Sequence, residues 1–218
     1  EIGERIRISR FSAWASSFRN KDDVCRYLLD VVSSNRFSDI TEQLLLPKQM
    51  ASELIESTKK DKNPTLRFLQ LIQRKNVLEV IFKKSLEYRT RLKKYLENQM
   101  GLKRGDTLVF VDLGYSGTAQ KVLEPIFREE FGIEITGRYL ISLGVPGWNS
   151  SRKGLLDHSW CDDRTMLTFV AYIPLLEQIC TCNERSTIGY DDNGNPIFND
   201  TTFTNEQYNR LDLLHTEC

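Results

Sequence analysis

The sequence predicts an α/β fold: an open, mostly parallel sheet flanked by helices, with a helical insertion and a C-terminal hairpin. Three observations predict it. First, residues 107–127, TLVFVDLGYSGTAQKVLEPIF, read as a buried strand (Leu108, Val109, Phe110, Val111), an acid (Asp112), a tight loop and a helix from about Ala119. Second, Gly132 stops that helix and a second strand follows over 138–143. Strand, helix, strand in that order implies a right-handed parallel crossover. Third, the turn Asp191-Asp192-Asn193-Gly194-Asn195-Pro196 lies between Ile188-Gly189-Tyr190 and Ile197-Phe198, the pattern of a β-hairpin.

The remaining elements follow in chain order. Residues 5–9 (RIRIS) alternate polar and apolar side chains and predict a short strand with Arg10 at its end. Asp22 or Asp23 is placed to cap a helix whose Val24, Tyr27, Leu28 and Val31 share one face. Residues 33–39 read as a linker, and Pro47 opens a helix with Met50, Leu54 and Ile55 that runs out into the polar stretch 59–63. Over 76–100, Val77, Val80, Ile81, Leu86, Leu92, Tyr95 and Leu96 keep a helical period, with basic residues on a solvated face. Gly101 is the expected C-cap, and Arg104-Gly105-Asp106 turns the chain into the first strand of the crossover. Beyond the second strand, residues 144–149 read as a loop and 153–156 as the start of a further strand. Residues 166–180 are expected to form a buried helix, and 204–215 a capped helix. The expected organisation is one domain over 1–218, with residues 30–100 as the helical insertion and 185–200 as the hairpin appendage. Because the chain begins with Glu1, it is expected to be part of a longer protein.

Composition excludes several classes of function. Lys+Arg and Asp+Glu are both 30 in 218 residues, so no net field draws in nucleic acid or a membrane surface. The apolar runs are too short to span a bilayer, and no signal peptide is visible. Five scattered cysteines do not make a secreted disulfide framework, and a cytoplasmic setting is expected. Cys180 and Cys182 with His158 and Cys161 match neither a CxxC knuckle nor a zinc finger, so no metal ligands are assigned.

An anionic ligand must therefore be held locally, and the turn after Asp112 is the place for it. A strand that ends in an acid and turns through glycine and hydroxyl residues into a helix exposes backbone N–H groups beside a partly positive helix end. An S-adenosylmethionine site fits poorly, because Gly114 and Gly117 stand second and fifth after the acid and Ser116 fills the fourth place. A P-loop is excluded, since no G-x-x-x-x-G-K-[ST] occurs. A cradle for the terminal phosphate of a sugar phosphate remains, with Asp112 on sugar hydroxyls and Ser116, Gly117 and Thr118 around the phosphate. So does a plain structural turn, with Asp112 as its cap and the glycines supplying positive φ.

The run VDLGYSGTAQKVLEPIF, then GRYLISLG, RKGLLD and LLEQICTCNERSTIGYDDNGNPIF, with ISR at residues 8–10, resembles one family across residues 5–198. It is similar to the carboxyl-terminal module of bacterial capsule and O-antigen proteins that carry a HAD-type phosphatase module beside it. The resemblance implies a phosphoribosyltransferase-like fold. It implies transfer of 5-phosphoribofuranosyl from phosphoribosyl pyrophosphate, with Mg2+ on the pyrophosphate, to a lipid-linked glycan acceptor. The HAD module, a partner in the same protein, would then remove the 5-phosphate. On this basis Asp112 is expected at the ribose or its cationic transition state, and Gly114, Tyr115, Ser116, Gly117, Thr118 and Ala119 at the 5-phosphate. Arg10 is the candidate for pyrophosphate and Lys153 a further phosphate candidate. Glu177, a carboxylate on an apolar helix, is the candidate base for the acceptor, or else the partner of Arg185, itself counted with the binding residues. The alternative is a non-catalytic sugar-phosphate-binding or scaffold module of polysaccharide assembly.

Overall fold

The computed structural model describes residues 6–114, 116–143, 151–180 and 186–199. The described residues fall into two compact units, the first drawn from Glu1–Leu102 and Thr187–Ile197, the second from Lys103–Ser186 and Phe198–Cys218.

The first unit is helical and includes the hairpin. Its helices are α1 (Arg10–Ala15), α2 (Lys21–Val31), α3 (Phe37–Gln43), α4 (Lys48–Glu56), α5 (Pro64–Ile72) and α6 (Lys75–Met100). Residues 6–9 of the strand expected over 5–9 are not a strand. Ser9 instead caps α1, its side chain accepting from the Ser12 N–H, and Arg10 becomes the first residue of that helix. Residues before it are held by tyrosine hydroxyls rather than by strand pairing: the Arg7 N–H donates to Tyr95 Oη at 2.6 Å, and Tyr190 Oη donates to the Arg7 carbonyl at 2.7 Å. Asn20, not Asp22 or Asp23, caps α2, accepting from the Asp23 N–H at 3.0 Å. Residues 33–36 of the stretch expected as a linker are non-helical, but 37–39 open α3, which stacks Phe37 on Phe68 of α5 at 4.2 Å. Helix α6 ends as expected at Gly101, whose φ of 59° is the left-handed conformation that glycine adopts without penalty.

The hairpin, whose strands are Thr187–Tyr190 and Pro196–Phe198, is tied to α6. Tyr190 sits between Tyr88 and Tyr95, with ring centroids 5.7 and 5.0 Å away. At its tip, Asp192 pairs with Arg91 at 2.7 Å and its carbonyl accepts from Lys94 at 2.9 Å.

The second unit carries the crossover. Strand β1 (Thr107–Asp112) pairs in parallel with β2 (Glu134–Ile141), and β2 in parallel with β3 (Arg152–Leu156), in the order β1-β2-β3. Between β1 and β2 runs α7 (Thr118–Ile126), extended by a π-helical turn, Phe127–Phe131, that Gly132 ends in the left-handed conformation. Register puts Leu108, Phe110 and Asp112 on one face with Ile135, Gly137 and Tyr139. That face is buried at Leu108, Ile135, Gly137 and Tyr139, with Gln120, Leu123 and Ile126 of α7 among the buried residues beside it, and it opens to solvent at Asp112. Ile141 continues it, packing with Met166 of α8 (Asp163–Ala171) and Ile173 of α9 (Ile173–Cys180).

Two expectations about burial are corrected here. Val109 and Val111 are 49% and 83% exposed, so β1 buries only its Leu108 face and is not a strand buried on both sides. Residues 166–180 are helical but not sunk in the core: Met166 and Ile173 are buried while Leu167, Tyr172, Leu175 and Ile179 are exposed. One helical stripe supplies the packing and the other faces outward. Residues 144–149 and 204–215, expected as a loop and a helix, lie outside the described residues. Among the described residues, no helix is long and apolar enough to cross a membrane.

Candidate functional site

The candidate site is built where β1 ends. Asp112 is exposed at the carboxyl end of the strand, and its Oδ1 accepts the Gly114 N–H at 3.2 Å. This Asx-type bond folds the loop back over the acid. Ser116 and Thr118 join their hydroxyls at 3.0 Å. Gly117 then enters the left-handed region at φ 56°, ψ 35°, and is the N-cap of α7. A glycine cap has no side chain to accept from the first turn, and that turn carries no acid. The N–H groups that open α7 are thus left to other acceptors, at the helix end where an anion is favoured.

A guanidinium stands against this turn. A β-carbon built on Gly117 would lie 2.7 Å from Cζ of Arg152 and 2.9 Å from its Nε and Nη2, so only glycine lets the two approach. Arg152 opens β3, and its Cα partner is Gly137, which places it on the face that carries Tyr139. Its Cζ lies over the Tyr139 ring, 4.7 Å from the centroid. Tyr139 is fixed in turn, its hydroxyl donating to Gln120 Oε1 at 2.8 Å while Gln120 Nε2 donates to Ser151 Oγ at 3.2 Å. Gly137 makes the space for this: a β-carbon there would sit 2.1 Å from Gln120 Oε1 and 2.3 Å from Tyr139 Cε2. Burial pushes the Tyr139 hydroxyl up to about 12, with the Arg152 charge pulling the other way. Burial also lowers Arg152 from its ordinary value, opposed by Tyr139.

The loop brings together Asp112, Gly114, Ser116, Gly117, Thr118 and Ala119 of the expected set. Tyr115 and Arg185 lie outside the described residues. Arg10 is exposed at the start of α1 and belongs to the first unit. Lys153 is exposed and pairs with Arg138, which puts it on the opposite face of the sheet from Arg152. Glu177 is exposed on α9, so the cost of a buried carboxylate gives no reason for it to be there.

The sequence reasoning missed Arg152, Tyr139 and Gln120. The signal for Arg152 was its place one residue before the expected strand. Extending the strand by that residue and pairing it in parallel puts Arg152 on the loop's face. Among the described residues, no group of three or more His, Cys, Asp and Glu could hold a metal ion.

Fold and site together define a class: an α/β unit whose strand–loop–helix turn, backed by an arginine, can receive an oxyanion beside an exposed carboxylate. Comparison with protein-family models, curated proteins and solved structures finds no match in any of the three.

Proposed function

We propose that the chain is a glycosyltransferase module that moves 5-phosphoribofuranosyl from phosphoribosyl pyrophosphate to a lipid-linked glycan in capsule or O-antigen assembly. The observation that carries the reading is the left-handed Gly117 at the start of α7, with the Arg152 guanidinium against it and Asp112 at the strand end. The resemblance of the Asp112–Gln120 run to the capsule and O-antigen modules selects this substrate among phosphate esters.

The chemistry then divides among the residues. Loop amides from Ser116 to Ala119 take the 5-phosphate. Asp112 orients the ribose through its hydroxyls and faces the positive charge that grows on the ring as pyrophosphate leaves. An acceptor hydroxyl attacks the anomeric carbon, the C1–O bond to pyrophosphate breaks, and the hydroxyl proton passes to a base. Glu177 as the base remains part of the proposal. The one loop carboxylate suits Mg2+ that arrives on pyrophosphate, because Mg2+ is commonly held by substrate phosphates and one or two carboxylates. When bound, the ion would neutralise the leaving group. A HAD-type phosphatase module in the same protein and a cytoplasmic location belong to the same reading.

One observation favours the rival, a binding or scaffold module without chemistry: Asp112 already spends a hydrogen bond on its own loop. Incubation with labelled phosphoribosyl pyrophosphate, Mg2+ and lipid-linked glycan acceptors separates the two. Release of pyrophosphate that requires an acceptor, and is lost in Asp112→Asn, supports the transferase. Binding with no release under any acceptor supports the scaffold.

A further inference from the structure

We infer that Arg152 is the specificity-determining residue of this site, selecting a phosphate monoester at the loop, and that Tyr139 and Gln120 position it. The inference rests on the phosphate-holding part of the proposed function and adds a residue and a selectivity that the sequence motif does not contain.

Three features converge on it. The guanidinium is at the loop, not merely near it: the space that a Gly117 side chain would need is filled by Arg152 Cζ, Nε and Nη2. Its orientation is set by the ring beneath it at 4.7 Å, which presents a flat negative face to a flat cation. The ring is set by the Gln120 carboxamide, which comes from α7, the same helix whose first turn borders the anion position. Loop, helix and guanidinium are thus linked through a buried tyrosine and a buried glutamine.

The chemistry points to a monoester. Such a group carries up to two charges on three terminal oxygens. A guanidinium fork takes two of those oxygens in its plane, and the helix-end amides take the third. A pyrophosphate leaving group is attached at C1 of the ribose and not at C5, so Arg152 at the 5-phosphate loop should not read it. Lys153 cannot substitute, since it sits across the sheet.

The test uses the full chain and two probes, ribose 5-phosphate and inorganic pyrophosphate with Mg2+, titrated calorimetrically into wild type, Arg152→Met, Arg152→Lys and Tyr139→Leu. The expected result is a loss of roughly ten- to hundredfold in ribose 5-phosphate affinity for Arg152→Met, the scale of a charge-assisted bond, with pyrophosphate affinity little changed. Arg152→Lys should recover part of the loss, because it restores charge without the fork. Tyr139→Leu should lie between, having lost the surface that orients the cation. A purely structural role would move both probes together and would not be rescued by lysine. Unchanged ribose 5-phosphate affinity in a folded Arg152→Met protein overturns the inference, as does a loss confined to pyrophosphate. A wild type that binds no ribose 5-phosphate overturns the inference and the phosphate-holding reading together. A wild type that binds it through Arg152 but never transfers from phosphoribosyl pyrophosphate overturns the transferase alone.

Discussion

Replacing Gly137 with alanine tests whether β2 was shaped for the residues behind the loop. The new methyl would lie 2.1 Å from Gln120 Oε1 and 2.3 Å from Tyr139 Cε2, far inside contact distance. Neither neighbour is a free chain end, for both are buried and bonded to each other at 2.8 Å. Forcing a methyl into a packed core costs about 1–3 kcal/mol. Separating the buried hydroxyl from the carboxamide adds about 1–3 kcal/mol if either stays unpaired. The terms overlap, since moving Gln120 relieves the clash and breaks the bond at once, so the expected loss is about 2–4 kcal/mol. Urea denaturation should show a lower midpoint at an unchanged slope. Gly189→Ala is the control, because its new methyl meets only Ile197 at 3.8 Å, an ordinary contact. It should stay within about 0.5 kcal/mol of wild type. In a Gln120→Ala background the cost of Gly137→Ala should shrink, since one of the two colliding groups is gone. A Gly137→Ala protein as stable as the Gly189→Ala control would refute the packing argument.

Three further outcomes are expected. Burial holds the Tyr139 and Tyr88 hydroxyls at about 12 instead of 10.0, so the folded chain keeps protons that the unfolded chain releases. The stability they contribute is whole below pH ~10 and is lost as pH rises toward ~12, and Tyr139→Phe should flatten part of that fall in a denaturation series. Gly101→Ala meets no atom within 4 Å, so its cost is backbone conformation alone, about 1–2 kcal/mol by denaturation. Asn20→Ala removes the acceptor for the Asp23 N–H and should cost about 1 kcal/mol in the same assay.

The crossover was legible because it is written twice, as an apolar run that ends in Asp112 and as a glycine at each end of the following helix. Both glycines adopt positive φ, Gly117 before α7 and Gly132 after it. The hairpin and α6 were legible for the same reason, since Asn193-Gly194 and Gly101 punctuate them. Helices α3 and α5 were not seen. For α5 the signal is present, since Asn63 caps it and Pro64 opens it, but Asn63 also reads as the end of the polar run 59–63. The 5–9 stretch misled because its alternation is real, while Ser9 uses its hydroxyl to start a helix and so overrides a weak strand pattern.

For the site, local sequence supplied the loop but not its cation. Arg152 reaches Gly117 only through the register of β3 on β2, a non-local fact that no spacing within the motif encodes. The further phosphate candidate Lys153 is its neighbour, and a shift of one residue moves a side chain to the other face of a sheet. Glu177 was singled out by the apolar letters around it, yet α9 buries only the stripe containing Ile173.

The most direct measurement is a titration of phosphoribosyl pyrophosphate with Mg2+ into the wild-type chain and into Gly117→Val. A β-branched residue at φ 56° meets both backbone strain and the Arg152 guanidinium, so the loop cannot keep its shape. The account predicts saturable one-to-one binding to wild type and none to Gly117→Val, with both proteins folded by circular dichroism. Equal binding to both, or no binding to wild type, would contradict it.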